Sequence, residues 1–421
     1  MSATLSELPH TVTDCTAQLY RMVVRGTRSV SLMSSVPGLA ISRRVRRTPF
    51  TERVEALGVE GYSIVNHTLL PKAFGRSIEE DYWHLREHVQ LWDVSCQRQV
   101  EIRGPDAARL VQWMTPRDLS KAKIGQCLYI ALIDQNAGMI NDPILLKLAE
   151  DHFWLSIADS DVLLWAKGLS LGCGFDVMVD EPDVSPLAVQ GPKAEVLMEK
   201  VFGPSVRNIR FFQFDTVNFK GNPLRISRSG YSRQGGFEIY LDKSFLGLDL
   251  WNTLWEAGQE FNVAPGYPNL VERVEGGLLS YGNEMTRANN PLECNLDHYC
   301  CLDGSVDYIG REALQRIAET GPIQRIRCVI FEGDPTPPCA SPWQIIADGK
   351  QVGHTTTVVW SLQLKANLSL AMIERRLLEY RSERTSRNSR WIEKERSGRG
   401  FSPFFFIVKG NHLKLQQSVT A

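Results

Sequence analysis

The chain has 421 residues, 43% of them hydrophobic and 23% charged, an ordinary globular profile with material for two or three domains. Its net charge of −1 gives no general case for a nucleic-acid-binding surface. No apolar run approaches the ~18 residues of a membrane span, and the nine cysteines form no C-x-x-C pair, so reduced thiols, a cytoplasmic setting and no metal site are expected.

Residues 1–41 stand apart as an N-terminal extension. Between Cys15 and Phe50 there are seven Arg and no Asp or Glu, a composition that fits a disordered arm or a targeting segment. A genuine transit peptide would make the protein organellar. Met33 is an alternative start, and Arg43-Arg44-Val45-Arg46-Arg47 reads as a solvated basic arm.

Globular sequence begins near Thr48. Ser77 to Val89 predicts a helix, with Ser77 as cap, Glu79 and Glu80 in the first turn, and Ile78, Tyr82 and Leu85 on one face. Trp92-Asp93-Val94 starts a strand expected to continue through Ile102. A turn at Gly104-Pro105-Asp106 leads into a helix from Ala107 to Trp113. Tyr129 to Ile133 and Ile140 to Leu148 read as strands around Gln135-Asn136-Ala137-Gly138. Phe153 to Ala158 is a strand, followed by a helix from Asp159 to Leu171. Leu187 to Pro192 is a short apolar strand, and Ala194 to Val201 a helix. The irregular mixture favours α+β over a doubly wound sheet.

Arg228 to Tyr240 reads as strand, glycine turn, strand. Phe237 and Ile239 alternate with Glu238 and Tyr240, and Gly235-Gly236 allows a tight turn or close approach to a flat ligand. A carboxylate fixed on such a strand can accept two parallel hydrogen bonds from an amidine-like N–H pair. From these residues alone, a half-exposed hairpin with a solvated Glu238 is the better reading. Asn269 to Tyr281 carries apolar residues at helical spacing and stops at Gly282-Asn283. Beyond Gly321-Pro322, short strands (Arg327 to Phe331, Gln344 to Ala347, Gln351 to Thr357) and the turn Asp348-Gly349 predict a small all-β domain over 321–376. Residues 377–421 read as an atypical tail with no evident continuation of that domain.

Gln90-Leu91-Trp92-Asp93-Val94, Thr115-Pro116-Arg117-Asp118-Leu119, Asn141-Asp142-Pro143, Ile157-Ala158-Asp159-Ser160-Asp161, Gln190-Gly191-Pro192-Lys193, the Arg228–Tyr240 stretch and Leu279-Ser280-Tyr281-Gly282-Asn283 follow in order. Taken together, over about 42–374, they resemble the glycine-cleavage T-protein (aminomethyltransferase) superfamily, with the closer likeness to the dimethylsulfoniopropionate demethylases. The resemblance implies two folate-binding α+β domains around a central hole (42–320) plus a C-terminal β-barrel, with tetrahydrofolate in the hole. Carried over by position, Glu238 pairs with the pterin, Tyr231 lines its pocket, and Asp159, Arg273 and Tyr281 contribute to cofactor binding.

The departures bear on chemistry. The T-proteins have Asp-Asp where this chain has Asn141-Asp142, taken here as the catalytic pair. Asn141 can hydrogen-bond but cannot move a proton. Of the family's Arg-Asp-x-x-Arg only Arg273 remains. A sulfonium donor carries a neutral thioether leaving group, so one in-line displacement by folate N5 suffices and positioning dominates. Aromatic rings beside the cation would each stabilise it by about 0.5–2 kcal/mol. Tyr231, Tyr240, Phe211 and Phe212 are candidates, the two Phe residues being equally readable as core. The expected activity is methyl transfer from dimethylsulfoniopropionate to tetrahydrofolate, giving 5-methyltetrahydrofolate and methylmercaptopropionate. The alternatives are an aminomethyltransferase, whose partner would be a lipoyl carrier protein, and a non-enzymatic folate-binding protein.

Overall fold

The computed structural model describes residues 42–339, 342–347 and 349–376, with the strands Phe405–Ile407 and Leu413–Gln417. The proposed targeting segment and Asp348 of the expected turn lie outside the described residues. Every described sheet belongs to the unit that begins at Val45.

Three sheets carry the fold. The first has six strands in the spatial order Phe214–Phe219, Asn222–Ser227, Gly236–Leu241, Ser185–Gln190, Val89–Asp93 and Val263–Gly266. Its neighbours are antiparallel except the last pair, which is parallel. One face packs on the helices Ala194–Phe202 and Gly247–Gly258, burying Leu91, Leu187, Val189, Phe237, Ile239 and Trp251. The second sheet runs Met178–Asp180, Gln99–Arg103, His152–Ser156, Ile144–Ala149 and Cys127–Tyr129, all antiparallel. The helices Ala107–Trp113 and Val162–Cys173 share its core. Sheets with helices segregated to one face make this an α+β fold, as the sequence indicates.

The third sheet runs Phe405–Ile407, Gln324–Phe331, Ala366–Glu374, Lys350–Ser361, Trp343–Ala347 and Leu413–Gln417. The C-terminal region is therefore β-rich, as expected. The sequence gives no sign that the tail takes part, yet its two strands pair with both edges of this sheet, in parallel at Gln324–Phe331 and antiparallel at Trp343–Ala347. Ala347 faces Lys350, which places the connection at the expected turn.

The helix Ile78–Glu87 follows from its cap: Ser77 Oγ accepts the Glu80 N–H and the Glu80 carboxylate accepts the Ser77 N–H, a complete capping box. Several expectations fail. The expected strands Tyr129 to Ile133 and Ile140 to Leu148 are each broken in two, Cys127–Tyr129 and Ile144–Ala149 joining the second sheet while Leu132–Ile133 and Met139–Asn141 pair with each other. The strand begun at Trp92 does not run on to Ile102; one strand ends at Asp93 and another, in a different sheet, starts at Gln99. The Asp93 carboxylate accepts both the Ser95 N–H and its hydroxyl, so a side-chain turn replaces the ladder there. The helix starting at Asn269 does not reach Tyr281. Asn269 caps it, but it covers only Leu270–Glu275. Gly277 takes φ +64° and Leu278 N–H closes back on the Arg273 carbonyl, a glycine stop five residues before the one expected.

That short helix is unusual because its charged residues are buried. Glu272 is 2% exposed, Arg273 5% and Glu275 8%. Arg273 forms a bidentate pair with Glu284 (2.8 and 3.3 Å) and donates to Thr357 Oγ1 at 2.7 Å, on the third sheet. Glu275 accepts the Tyr82 hydroxyl and that of Ser361. Removing one member of a buried, hydrogen-bonded ion pair leaves the other uncompensated. Glu284→Gln is expected to cost on the order of 3–5 kcal/mol of unfolding free energy. Chemical denaturation with an unchanged m-value would register it, and a loss under 1 kcal/mol would show that the pair is not a main tie.

Candidate active site

Glu238 lies on the inner strand Gly236–Leu241, in register with Ala188 on one side and Ser227 on the other. Phe237, Ile239 and Leu241 turn into the helix-packed core, so Glu238 and Tyr240 share the opposite face. The half-exposed hairpin reading is wrong, since Glu238 is only 6% exposed. Ser229 Oγ donates to its Oε2, and the Ser227 and Ser229 hydroxyls are 2.5 Å apart. Among the described residues no other hydrogen bond reaches this carboxylate. Burial pushes the Glu238 acid up, and the Ser229 bond opposes the shift.

The loop before this strand is held by Gln190, 1% exposed, a residue whose place beside Gly191-Pro192 gives it no evident role in the sequence. Its amide donates to the Ser229 and Phe237 carbonyls, and its oxygen accepts the Ser232 hydroxyl. Gly235 takes φ +80°, and Gly236 at φ +145° leaves no room for a Cβ against the Val189 carbonyl, so both glycines are required. Gln234 at the loop tip donates to Glu272 at 3.0 Å.

A second group forms around Asp142. The Tyr129 hydroxyl donates to Asp142 Oδ2 at 2.9 Å, and burial pushes the Asp142 acid up to about 7. Its charge also acts on Tyr231, Tyr281 and Cys294, while Tyr129 alone among them bonds it. Tyr231 bonds the Leu279 carbonyl and Tyr281 the Met139 carbonyl. The Tyr299 ring meets Tyr129 edge-on at 5.4 Å, with the Arg117 guanidinium 4.9 Å from its centre. Arg273 and Glu284 lie beside Tyr231. The strand Cys127–Tyr129 links the two groups, since the Glu238 charge acts on Cys127 and Tyr129 bonds Asp142.

The structure thus brings Asp142, Tyr231, Tyr281 and Arg273 together, and sets Glu238 and Tyr240 side by side. Other expected residues stand elsewhere. Asn141, fully buried, spends its amide on Ala158 N–H and the Ser160 hydroxyl, tying the strand Met139–Asn141 to the 158–160 turn. Asp159 is exposed and accepts the Asn66 N–H, supporting the turn of the Gly61–Val65/Thr68–Ala73 hairpin. Tyr240 packs against Trp154, with ring centres 6.3 Å apart, and its hydroxyl faces Ser227 and Ser156. Phe212 joins that cluster with φ +59°, but Phe211 is 73% exposed. Tyr129 and Glu284, missed from sequence, carry no motif; only the alternation of Cys127-Leu128-Tyr129 hints that Tyr129 faces inward.

The sequence signature of the GCVT N-terminal domain matches residues 50–304. The chain is 51% identical over 334 residues to the dimethylsulfoniopropionate demethylase DmdA of Ruegeria pomeroyi, covering 79% of this chain and 91% of that one. It is 31% identical over 311 residues to an aminomethyltransferase of Thermoanaerobacter pseudethanolicus, covering 72% and 83%. The solved glycine cleavage aminomethyltransferase T of Bartonella henselae superposes with a TM-score of 0.70 at 22% identity, over 78% of this chain and 90% of that one, a likeness of fold.

Asp142 ionises in the folded protein only near pH 7, against an ordinary value of 3.8. An acid raised on folding binds its proton more tightly in the native state, so its contribution to stability falls as pH rises from about 4 to 7. Asp142→Asn keeps an acceptor for Tyr129 and removes the charge. It is expected to be more stable than the parent at pH 8, on the order of 1–3 kcal/mol, and no more stable at pH 4. Thermal unfolding across that range checks this, and a parallel offset at both ends would mean that Asp142 is not the titrating group.

Proposed function

This chain belongs to the family defined by the GCVT N-terminal domain, and from that premise we propose that it is a tetrahydrofolate-dependent demethylase of dimethylsulfoniopropionate. The observation that carries the reading is the 51% identity to a demethylase over most of both chains, against 31% to an aminomethyltransferase.

The residues suit the cofactor. Glu238 is buried, held by a single side-chain bond to one oxygen, and its other oxygen is free to accept from the N–H pair of a pterin edge. When bound, tetrahydrofolate supplies the nucleophilic N5 that takes the methyl group. The Tyr129, Tyr231 and Tyr281 rings offer faces to a sulfonium cation. Methyl transfer to that nitrogen would break the carbon–sulfur bond, whose electron pair would leave on sulfur as a neutral thioether, and would release one proton. Asp142, its acid pushed up to about 7, can accept that proton. Asp142 thus supplies a carboxylate for acid–base work even though Asn141 cannot.

The test is purified protein with tetrahydrofolate and dimethylsulfoniopropionate, assayed for 5-methyltetrahydrofolate and methylmercaptopropionate. Turnover of an aminomethyl-lipoyl carrier protein instead would favour the aminomethyltransferase, and tight folate binding with no methyl transfer from any donor would favour a binding protein. Glu238→Gln is expected to weaken folate binding by more than about tenfold, since a charge-assisted bond becomes neutral and the new amide faces pterin donors. Unchanged affinity in a calorimetric titration would remove Glu238 from the pterin site.

A further inference from the structure

Lys72 is a cation with nothing to balance it. It lies on the strand Thr68–Ala73, whose other members are largely buried, and is itself partly buried. Its ammonium makes no hydrogen bond and no ion pair among the described residues. The charged groups that act on it are the Cys96 thiol and the Arg273 guanidinium, and no carboxylate is among them. Arg273 cannot be relieved by it and does not need it, being committed to Glu284.

Its position is built. In the hairpin, Gly61 pairs with Ala73 and Tyr62 with Pro71, so Lys72 is the extra residue of a β-bulge. A bulge removes a residue from the ladder and re-aims its side chain, a device frequent beside active sites. The two groups that act on Lys72 connect to residues at and next to the candidate site, the first by way of Asn141, which precedes Asp142. The Cys96 carbonyl accepts the Asn66 amide, which also bonds Ala158, and Ala158 is held by Asn141. On the other side, Arg273 adjoins Tyr231 and Glu284, which feel the Asp142 charge or act with it on one tyrosine. A partly desolvated ammonium that lacks a partner is unfavourable unless something anionic arrives. Burial and the like charge of Arg273 both disfavour its protonated form, so a ligand carboxylate would relieve it.

We propose that Lys72 binds the carboxylate of the methyl donor, and so selects a sulfonium acid over a neutral or purely cationic sulfonium. The inference rests on the demethylase reading. A zwitterionic donor then has two poles held separately, the sulfonium by the tyrosines around Asp142 and the carboxylate by Lys72. Lys72 is a specificity residue, remote from the bonds that change.

The experiment compares dimethylsulfoniopropionate with its primary amide as methyl donors, at saturating tetrahydrofolate, in the parent and in Lys72→Met and Lys72→Arg. The parent is expected to prefer the acid in kcat/KM by about tenfold or more, the margin of a charge-assisted bond. Lys72→Met should erase that preference by raising KM for the acid while leaving the amide unchanged, and Lys72→Arg should restore part of it. Thermal unfolding should show Lys72→Met at least as stable as the parent without ligand, since an unpaired charge has been removed. An acid-to-amide ratio unchanged in Lys72→Met overturns the proposal. So does a weakened folate affinity with the ratio intact, which would assign Lys72 to a carboxylate of the folate tail. If the parent transfers no methyl group from dimethylsulfoniopropionate, the demethylase reading itself fails, and this inference with it.

Discussion

The burial of Glu272, Arg273 and Glu275 on one six-residue helix is the constraint on which the rest depends. Three ionisable residues out of solvent are tolerable only if every one is answered. The answers come from distant parts of the chain. Glu272 takes Gln234 of the glycine loop and Arg86 of the capped helix. Arg273 takes Glu284 and reaches Thr357, while Glu275 takes Tyr82 and Ser361. The loop preceding Glu238, the helix Ile78–Glu87 and the third sheet are therefore fixed to one short segment. The helix is too short to be stable alone. It is held by these side chains, which tie it to the glycine loop, the capped helix and the third sheet.

Two carboxylates whose acids are raised by desolvation then stand in different surroundings. Glu238 is bonded by one serine hydroxyl and backed by Tyr240 and Trp154. Asp142 is bonded by a phenol and lies among other phenols. On the proposed reading, the carboxylate that recognises an N–H pair benefits from a fixed direction, and the one that accepts a proton benefits from a value near neutrality. Desolvation raises both acids, and their partners differ. Asn141 marks the loss of one proton-handling group, yet it is a clamp between strand and turn. The neighbouring Asp142 is the residue among the tyrosines.

The fold class and most elements are legible in the sequence because local signals fix them. Ser77 with Glu80 marks a helix start, and the helix Ala107–Trp113 keeps the bounds its sequence predicts. Glu238 is legible as a strand carboxylate opposite Phe237 and Ile239, because period-two alternation is a local property. What fails depends on distant partners. Nothing near Asp93 reveals that its carboxylate will turn the chain into another sheet, and nothing near Gly277 gives it priority over Gly282 as a stop. The two Phe residues at 211 and 212 are identical in sequence terms. Only the backbone at Phe212, with positive φ and its carbonyl accepting Cys127 N–H, sends one ring inward and its neighbour to solvent.

That division changes where a cationic donor is best accommodated. Tyr240 and Phe212 belong to the packed cluster with Trp154 and Leu146, and the Tyr240 hydroxyl is turned toward serines. Their rings back the Glu238 strand more than they enclose a ligand. Tyr129, Tyr231 and Tyr281 differ, since their hydroxyls are each anchored, to Asp142 or to a backbone carbonyl, and anchored phenols hold their rings in place. Fixed aromatic faces around a carboxylate attract a sulfonium through both ring quadrupole and charge. Such attraction is strongest for the concentrated charge of the bound donor and weakens as the methyl group leaves. On the proposed reading it would serve to bind and orient rather than to lower the barrier, which then depends on alignment of the methyl carbon with the folate nitrogen. What the buried helix contributes is the tie between the glycine loop, the capped helix and the third sheet.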